Sequence, residues 1–464
     1  MSNTPTEKDG AIYDAKQLGM PKMLILGLQH MFAMFGATIL VPILVNSYFH
    51  GEGLSIQVTL FFAGVGTLFF HICAKLKVPA FLGSSFAFLG GFATVAELNS
   101  GIFANMTYGE KLPYACGGIV VAGLLYLVLA LVIRLVGVKR VMRFLPPVVT
   151  GPIIICIGLS LAGSAINNAQ TNWFLALVAL VVIIAFNIWG KGMFKIIPIL
   201  MGVLISYAVA LAMQFAGMTN PDGSTIIDFT STASSAWVGL PDFILCKFNL
   251  TAILVMAPIA IATMMEHIGD MSAISATVGE NFLEDPGLHR TLIGDGLATA
   301  LSAFFGGPAN TTYGENTGVL ELSRVFDPAV IRIAAVYAVV LSFVPKFASI
   351  IGSMPASIIG GVSFILYGMI SAIGIRNVVE NRVDLTNSRN LIIAAVILVC
   401  GLGFSSGLTF EIAGTSITLT SLAIASIAGV LLNAILPGND YEFGVSPEGD
   451  MNRGVTLKAR HRQD

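Results

Sequence analysis

The chain has 464 residues, 55% of them hydrophobic and only 11% charged. A soluble domain carries about a quarter charged residues to clothe its surface, so this composition excludes one. The formal net charge of −2 argues against a nucleic-acid partner.

Residues 1–20 are polar and mixed in charge, with no apolar run ahead of a small-residue cleavage site. They are expected to form a poorly ordered cytoplasmic tail rather than a cleaved signal peptide. The first span is expected over residues 23–45, long enough to stay in the membrane. Residues 144–190 contain no Asp, Glu, Lys or Arg, and 196–221 are likewise bare. A helix needs about 20 apolar residues to cross the hydrocarbon core. The longer stretch therefore holds two spans, divided by the polar break Asn167-Asn168-Ala169-Gln170-Thr171-Asn172. Counted this way, the chain carries roughly 12 to 14 spans. The Ser/Thr/Asp-rich stretch 218–242 is the longest expected outside the membrane, and 437–464 form a second polar tail. Cys73, Cys116, Cys156, Cys246 and Cys400 lack metal-ligand spacing and read as packing residues.

Orientation follows from the basic residues. They gather at Lys75 and Lys77, at Arg134, Lys139, Arg140 and Arg143, and at Lys191 and Lys195. They gather again at Arg376, Arg382 and Arg389, and at Lys458, Arg460 and Arg462. Residues 50–55 and 217–245 hold no Lys or Arg. This alternation predicts that both termini are cytoplasmic.

Two halves share an order of motifs. Ser84-Ser85-Phe86-Ala87 is answered by Thr311-Thr312-Tyr313-Gly314, each hydroxyl, hydroxyl, aromatic, small. Leu145-Pro146-Pro147-Val148-Val149-Thr150-Gly151 is answered by Met354-Pro355-Ala356-Ser357-Ile358-Ile359-Gly360, and Gln29-His30 by Glu266-His267. The chain divides into a tail (1–20), a first repeat (21–216), an extramembrane connection (217–249), a second repeat (250–436) and a tail (437–464). An odd number of spans per half would invert the second copy, as in many secondary transporters. The hydroxyl-aromatic motifs sit in glycine- and proline-rich segments, too polar for uninterrupted spans. Extended backbone within a membrane persists only where protein or a cavity satisfies its polar groups. The reading is two short extended strands, each leading into a half-helix, that meet near the bilayer midplane, where the half-helices' free N–H groups and partial positive charge suit a ligand's carbonyl oxygens.

Ionisable residues inside spans are costly and mark function. Glu266 follows the uncharged run 250–265, and Glu315 falls at the second break. Asp270 lies one turn beyond Glu266 on the same helix face, as a proton relay or at the membrane exit, while His267 points about 100° away. His30 either donates to a broken-helix carbonyl or is a satisfied core histidine. Asp295 and Glu321 read as helix-end or loop-facing, and His71, near Lys75, as interfacial. Of Phe32, Phe35, Phe86 and Tyr313, only Phe86 and Tyr313 stand out as faces for a flat ring.

These residues resemble the nucleobase–cation symporters of the nucleobase–ascorbate transporter group, within it the bacterial uracil permease branch. The resemblance runs from the first span to about residue 435. It is carried by Gln29-His30-Met31-Phe32-Ala33-Met34-Phe35-Gly36-Ala37-Thr38, by Leu82-Gly83-Ser84-Ser85-Phe86-Ala87-Phe88 and by Glu266-His267-Ile268-Gly269. The densest match is Asn310-Thr311-Thr312-Tyr313-Gly314-Glu315-Asn316-Thr317-Gly318, continuing to Ser323-Arg324. The resemblance implies an all-α polytopic membrane protein with fourteen spans in two inverted sevens, built as a core and a gate domain. It also implies a homodimer and inward proton symport in the inner membrane. Glu266 and Glu315 would accept hydrogen bonds from ring N–H groups, backbone N–H groups at Phe86 and Gly314 would serve the ring carbonyls, and Tyr313 and Phe86 would line the pocket. The purine branch usually has Gln where this chain has Glu315, which favours a pyrimidine such as uracil. One departure is Asp270, where some uracil permeases carry His.

The mechanistic expectation is that a protonated Glu266 lowers the cost of moving the loaded core past the gate, with Asp270 and His30 assisting the proton. Rival readings are a purine symporter, sodium coupling through Glu266 and Asp270, a passive channel, and an intramembrane enzyme. The last is disfavoured by the lack of a His-Glu-x-x-His pattern. No cofactor or metal is expected.

Overall fold

The computed structural model describes residues 10–404, 407–412 and 415–438. Residues 1–9 and most of the expected C-terminal tail, including Lys458, Arg460 and Arg462, lie outside them. The first half runs α1 (Met20–Tyr48), α2 (Ile56–Cys73), β1 (Leu82–Ser84), α3 (Leu89–Ala96), α4 (Tyr108–Val136), α5 (Val138–Met142), α6 (Pro147–Leu159), α7 (Ala162–Ala169), α8 (Trp173–Trp189), α9 (Met193–Ile196) and α10 (Pro198–Phe215). After the short α11 (Thr230–Ser234) come α12 (Leu250–Met256), α13 (Ala260–Val278), α14 (Leu288–Phe304), β2 (Asn310–Thr312), α15 (Gly314–Ser323), α16 (Pro328–Ser342) and α17 (Pro345–Gly352). The chain continues through α18 (Ala356–Glu380), α19 (Ser388–Gly403), the hairpin β3 (Leu408–Ile412) and β4 (Thr415–Leu419), and α20 (Ser421–Ile435).

Local chemistry sets the boundaries. Thr107 closes a capping box with Glu110 at the start of α4. The expected polar break ends at Asn172, whose side chain caps α8 by accepting from Leu175 N at 3.4 Å. Pro258, lacking an N–H, stands in the 3-10 turn Ala257–Ile259 that separates α12 from α13. Among the described residues, seven helical stretches are long and apolar enough to cross a membrane, and α16 with α17, bent by 86°, makes an eighth. The helices α8, α19 and α20 are shorter and apolar.

The helices sort into two packed sets. In one, α1–α4 and α12–α16 enclose β1 and β2; in the other, α6–α8 and α10 pack with α18–α20. Small residues let backbones close within each set. A Cβ on Gly374 of α18 would lie 2.6 Å from Ile155 N and 2.7 Å from Gly151 O of α6, and one on Gly360 would lie 2.3 Å from Ala169 N of α7. The sets touch where α13 meets α6 and α20, and where α1 meets α10. Residues 217–249 run over other connections, with Lys346 N donating to Ala236 O at 2.9 Å and Lys247 N to Pro113 O at 2.9 Å.

One expectation fails at the N-terminus. Residues 10–18 are held rather than loose: Ile12 N donates to Arg324 O at 2.9 Å, Ala15 N to Asp327 Oδ2 at 2.8 Å, and Tyr13 Oη to Val278 O at 2.8 Å. Apolar Ile12 and aromatic Tyr13, which packs 5.5 Å from the Phe326 ring, account for the docking.

Candidate functional site

The two hydroxyl-aromatic motifs converge. β1 and β2 pair antiparallel with Leu82 opposite Thr312, Gly83 opposite Thr311 and Ser84 opposite Asn310. Ser85 N donates to Ala309 O at 2.9 Å and Tyr313 N to Phe81 O at 3.0 Å, which extends the pairing at both ends. The remaining backbone groups are met by side chains. Thr67 Oγ1 accepts from Leu82 N at 2.9 Å, while Thr299 Oγ1 accepts from Asn310 N at 3.1 Å and donates to Asn310 O at 3.0 Å. Thus the extended segments lie buried in protein with these backbone groups paired, while the hydroxyls of Ser85 and Thr311 have no partner among the described residues.

A half-helix follows each strand. α15 starts directly at Gly314, with Tyr313 as its N-cap in extended conformation. α3 starts later, at Leu89, after a bend through Phe86, Ala87 and Phe88. Tyr313 donates its hydroxyl to Ser84 O at 2.9 Å, and Ser84 Oγ donates to Thr38 O at 2.8 Å, so the tyrosine bolts both strands to α1. Its ring lies so close over β1 that a Cβ on Gly83 would meet it at 2.4 Å. Phe86 is buried edge-on to Tyr367, with ring centroids 6.0 Å apart, and so reaches the second helix set.

A cavity of about 960 Å³ opens beside the strand pair and extends along α15 from Gly314 to Arg324. Asp270, Gly314 and Glu315 line it from one helix set, and Ile154, Met369 and Asn377 from the other. Thr312 Oγ1 donates to Asp270 Oδ2 at 2.6 Å, which links α13 to β2. Glu266, one turn earlier on α13, is partly buried, and its Oε2 has no hydrogen-bond partner among the described residues. A buried, unpaired carboxyl oxygen is expensive, so this group is left for something that donates to it. Phe32 also lines the cavity, while Phe35 packs on Phe347 with centroids 5.4 Å apart.

Three sequence readings change. Asp295 is not at a helix end exposed to solvent; it is fully buried in α14, with Oδ2 2.9 Å from His267 Nδ1. A buried polar group needs a partner, and His267, turned away from Glu266 as expected, is that partner. His71 is not interfacial but fully buried, its Nε2 donating to Ala80 O at 2.8 Å and fixing the approach to β1. His30 does not donate to a carbonyl of the broken helix. Instead, Asn316 Nδ2 donates to His30 O at 3.0 Å and lies 3.2 Å from His30 Nδ1, while His30 Nε2 has no partner among the described residues. Glu321 is exposed near the end of α15, as read. Sequence reasoning did not single out Asn316, Thr312 or Thr299, although Thr312 and Asn316 sit inside the densest motif and are the polar residues flanking Tyr313 to Glu315.

Comparison with known proteins agrees with this architecture. Residues 21–410 match the model of a permease family. The chain is 41% identical over 430 residues to a uracil permease of Bacillus caldolyticus, covering 89% of this chain and 92% of that protein. It is 39% identical over 429 residues to a uracil permease of Bacillus subtilis, covering 88% and 91% respectively. A putative pyrimidine permease of Escherichia coli, RutG, is 36% identical over 441 residues, or 94% of each chain. Among solved structures, the transmembrane domain of the cyanobacterial bicarbonate transporter BicA superposes with a TM-score of 0.62 at 14% identity, over 90% of this chain and 99% of that one. SLC26A9 gives 0.63 at 13% identity, over 91% and 66%. At such identities these structures report the fold alone. The chain belongs to this permease family, the nucleobase–ascorbate transporters that its motifs resemble, and is an integral membrane transporter rather than an enzyme.

Proposed function

We propose that the protein imports uracil by proton symport, through an elevator-like movement of one helix set past the other. The observation that supports this reading is that Asp270 and Glu315 line a cavity at the N-terminus of α15, beside the strand pair, with the unpartnered carboxyl oxygen of Glu266 one turn before Asp270 on α13. Uracil presents two N–H donors and two carbonyl acceptors. In this reading Glu266 and Glu315 accept from the ring N–H groups, backbone N–H groups at Phe86 and Gly314 donate to the carbonyls, and Phe86 and Tyr313 shape the pocket. A site that satisfies every polar group rejects analogues that leave one unpaired. The names of the B. caldolyticus and B. subtilis relatives point to the same substrate. Glu266 carries the coupling proton, with Asp270 and His30 beside its route, and its neutral form lowers the cost of transit.

The element order supports fourteen spans in two inverted repeats over 21–216 and 250–436. Seven units, α1, α2, β1 with α3, α4, α6 with α7, α8 and α10, are followed by α12 with α13, α14, β2 with α15, α16 with α17, α18, α19 and α20. The set holding the strands is the core and the other is the gate. The basic residues Lys195, Arg324 and Arg376 beside the cavity support an inward-facing arrangement in the inner membrane with cytoplasmic termini. The homodimer is carried over from the family resemblance.

Uptake of labelled uracil into vesicles under an imposed inward proton gradient tests the reading, with thymine, xanthine and cytosine as competitors. Accumulation should collapse with a protonophore and resist xanthine. Uptake of xanthine in place of uracil would move the protein to the purine branch, and dependence on Na⁺ at fixed pH would replace the proton as the coupling ion.

A further inference from the structure

Residues 236–248, the end of the stretch expected outside the membrane, form an irregular segment tied along its length to helix ends. Besides the bonds at Ala236 and Lys247 described above, Gly239 N donates to Phe343 O at 3.1 Å, Ile244 N to Phe305 O at 3.2 Å and Cys246 N to Phe304 O at 3.0 Å. The Phe243 ring packs edge-on against Phe61, Phe62 and Phe305, with centroids 5.3, 6.0 and 6.1 Å away. These partners lie on or beside α2, α4, α14 and the α16–α17 bend, so the segment rides on the helix set that holds the strand pair. Trp237, Val238, Leu240 and Leu245 face away from it, 73%, 81%, 77% and 61% exposed. Such a row of large apolar side chains is costly in water.

Depth identifies what covers the row. α4 has 29 residues, which makes it about 44 Å long against a hydrocarbon core of about 30 Å, so about 7 Å protrudes at each end. Pro113, the acceptor for Lys247 N, stands five residues into α4, about 7.5 Å from its start. This end of the segment is therefore level with the boundary between hydrocarbon and headgroups. The other end is level with it too. Phe343 follows Ser342, whose carbonyl accepts from Gln57 Nε2 at 2.7 Å in the first turn of α2. The 18 residues of α2 make about 27 Å, close to the thickness of the hydrocarbon core. Val336 and Val340 of α16, two turns and one turn before Phe343, are exposed, so the apolar surface that lipid covers runs up to the row. Lys346 Nζ lies 5.9 Å from the Trp237 ring centroid, and Asp242 and Lys247 are exposed. Amphipathic rings and snorkelling lysines suit the headgroup level. We propose that residues 236–248 moor the strand-bearing helix set in the headgroup region of the leaflet where α1 ends and α4 begins, with Trp237, Val238, Leu240 and Leu245 set among lipid.

The test uses full-length protein in phospholipid vesicles. The chain has 3 tryptophans, Trp173, Trp189 and Trp237, so W173F/W189F leaves Trp237 as the sole one. Its emission is read with phosphatidylcholine brominated high on the acyl chain, with the same lipid brominated deep in the chain, and with iodide in the water. Emission should fall severalfold with the high bromine, fall less with the deep one, and change little with iodide. The difference between wild type and Trp237→Phe gives the same readout with Trp173 and Trp189 intact, which serves if the double variant folds poorly. Quenching by iodide and not by brominated lipid would put the segment in water. Quenching by neither would put it under protein, such as a second copy of the chain, and stronger quenching by the deep bromine would sink it into the hydrocarbon. Each of these three results would overturn the mooring.

Discussion

Replacing Gly83 with alanine tests whether the strand pair is the working centre. The added Cβ would stand 2.4 Å from two Tyr313 ring carbons and 2.7 Å from Thr38 Oγ1. Non-bonded carbons settle at about 3.5 Å, so the ring must retreat by roughly 1.1 Å or β1 must move away from α1. Overpacking of that kind costs about 1–3 kcal/mol. The retreat also pulls the Tyr313 hydroxyl from Ser84 O, now at 2.9 Å, and that hydrogen bond is worth about 1 kcal/mol. Together the loss is about 2–4 kcal/mol, confined to the junction that positions Gly314 and Glu315. Misplacement of a site by about 1 Å costs on the order of a hundredfold in an enzyme, and a loss of at least about tenfold in initial uptake rate is expected here. Gly90→Ala is the control, because nothing lies within 4 Å of the atom it adds. Uptake should be compared at equal amounts of inserted protein. If Gly83→Ala matched Gly90→Ala in rate and in thermal stability, the close contact of Tyr313 with β1 would have no functional weight and the reasoning would fail.

Four further outcomes are expected. Glu266→Gln should abolish uphill uracil accumulation under a proton gradient while leaving the protein folded; undiminished accumulation would remove Glu266 from coupling. Thr312→Val deletes the donor to Asp270 Oδ2 and, as a hydrogen bond to a carboxylate is worth about 1.5–3 kcal/mol, should slow uptake by about ten- to a hundredfold, with Thr312→Ser largely restored. Asp295→Ala leaves His267 Nδ1 buried without its partner at 2.9 Å, which should cost about 1–3 kcal/mol and show as a lower melting temperature; an unchanged melting temperature would mean the pair is not formed. Asp327→Ala removes both the cap on Ala329 N and the acceptor for Ala15 N. It should destabilise by about 1 kcal/mol and speed tryptic cleavage at exposed Lys16.

The broken segments were legible because glycine, proline and hydroxyl residues interrupt otherwise apolar runs, and extended backbone in a membrane has few ways to be satisfied. That the two segments meet was legible too, but their antiparallel register was not, since it depends on partners far apart in the chain. Asp295 was misread for an identifiable reason. It sits near one end of its apolar run, with His289 and Arg290 just before it, which suggests a water-facing end. Its neighbours Gly294 and Gly296 carried the opposite signal. A Cβ on either would strike Phe70 or Tyr126, at 2.9 and 2.4 Å, so this stretch of α14 is pressed against α2 and α4 and the carboxylate between the glycines has no route to water. His71 was misread likewise, its proximity to Lys75 in sequence hiding the fact that the chain doubles back to Ala80. The docking of residues 10–18 had no periodic signal, because an edge-like backbone bridge and a single tyrosine carry it.

The strand pair also has a consequence for how the protein is made. Ser84 and Tyr313 are 229 positions apart, and chains grow at about 5–20 residues per second. The β1 segment therefore leaves the ribosome on the order of ten to forty seconds before its partner strand exists. During that interval its backbone N–H and C=O groups cannot rest in lipid. They must be held by water or by the insertion apparatus, so assembly of this centre waits until the chain has grown well into its second half, past Tyr313.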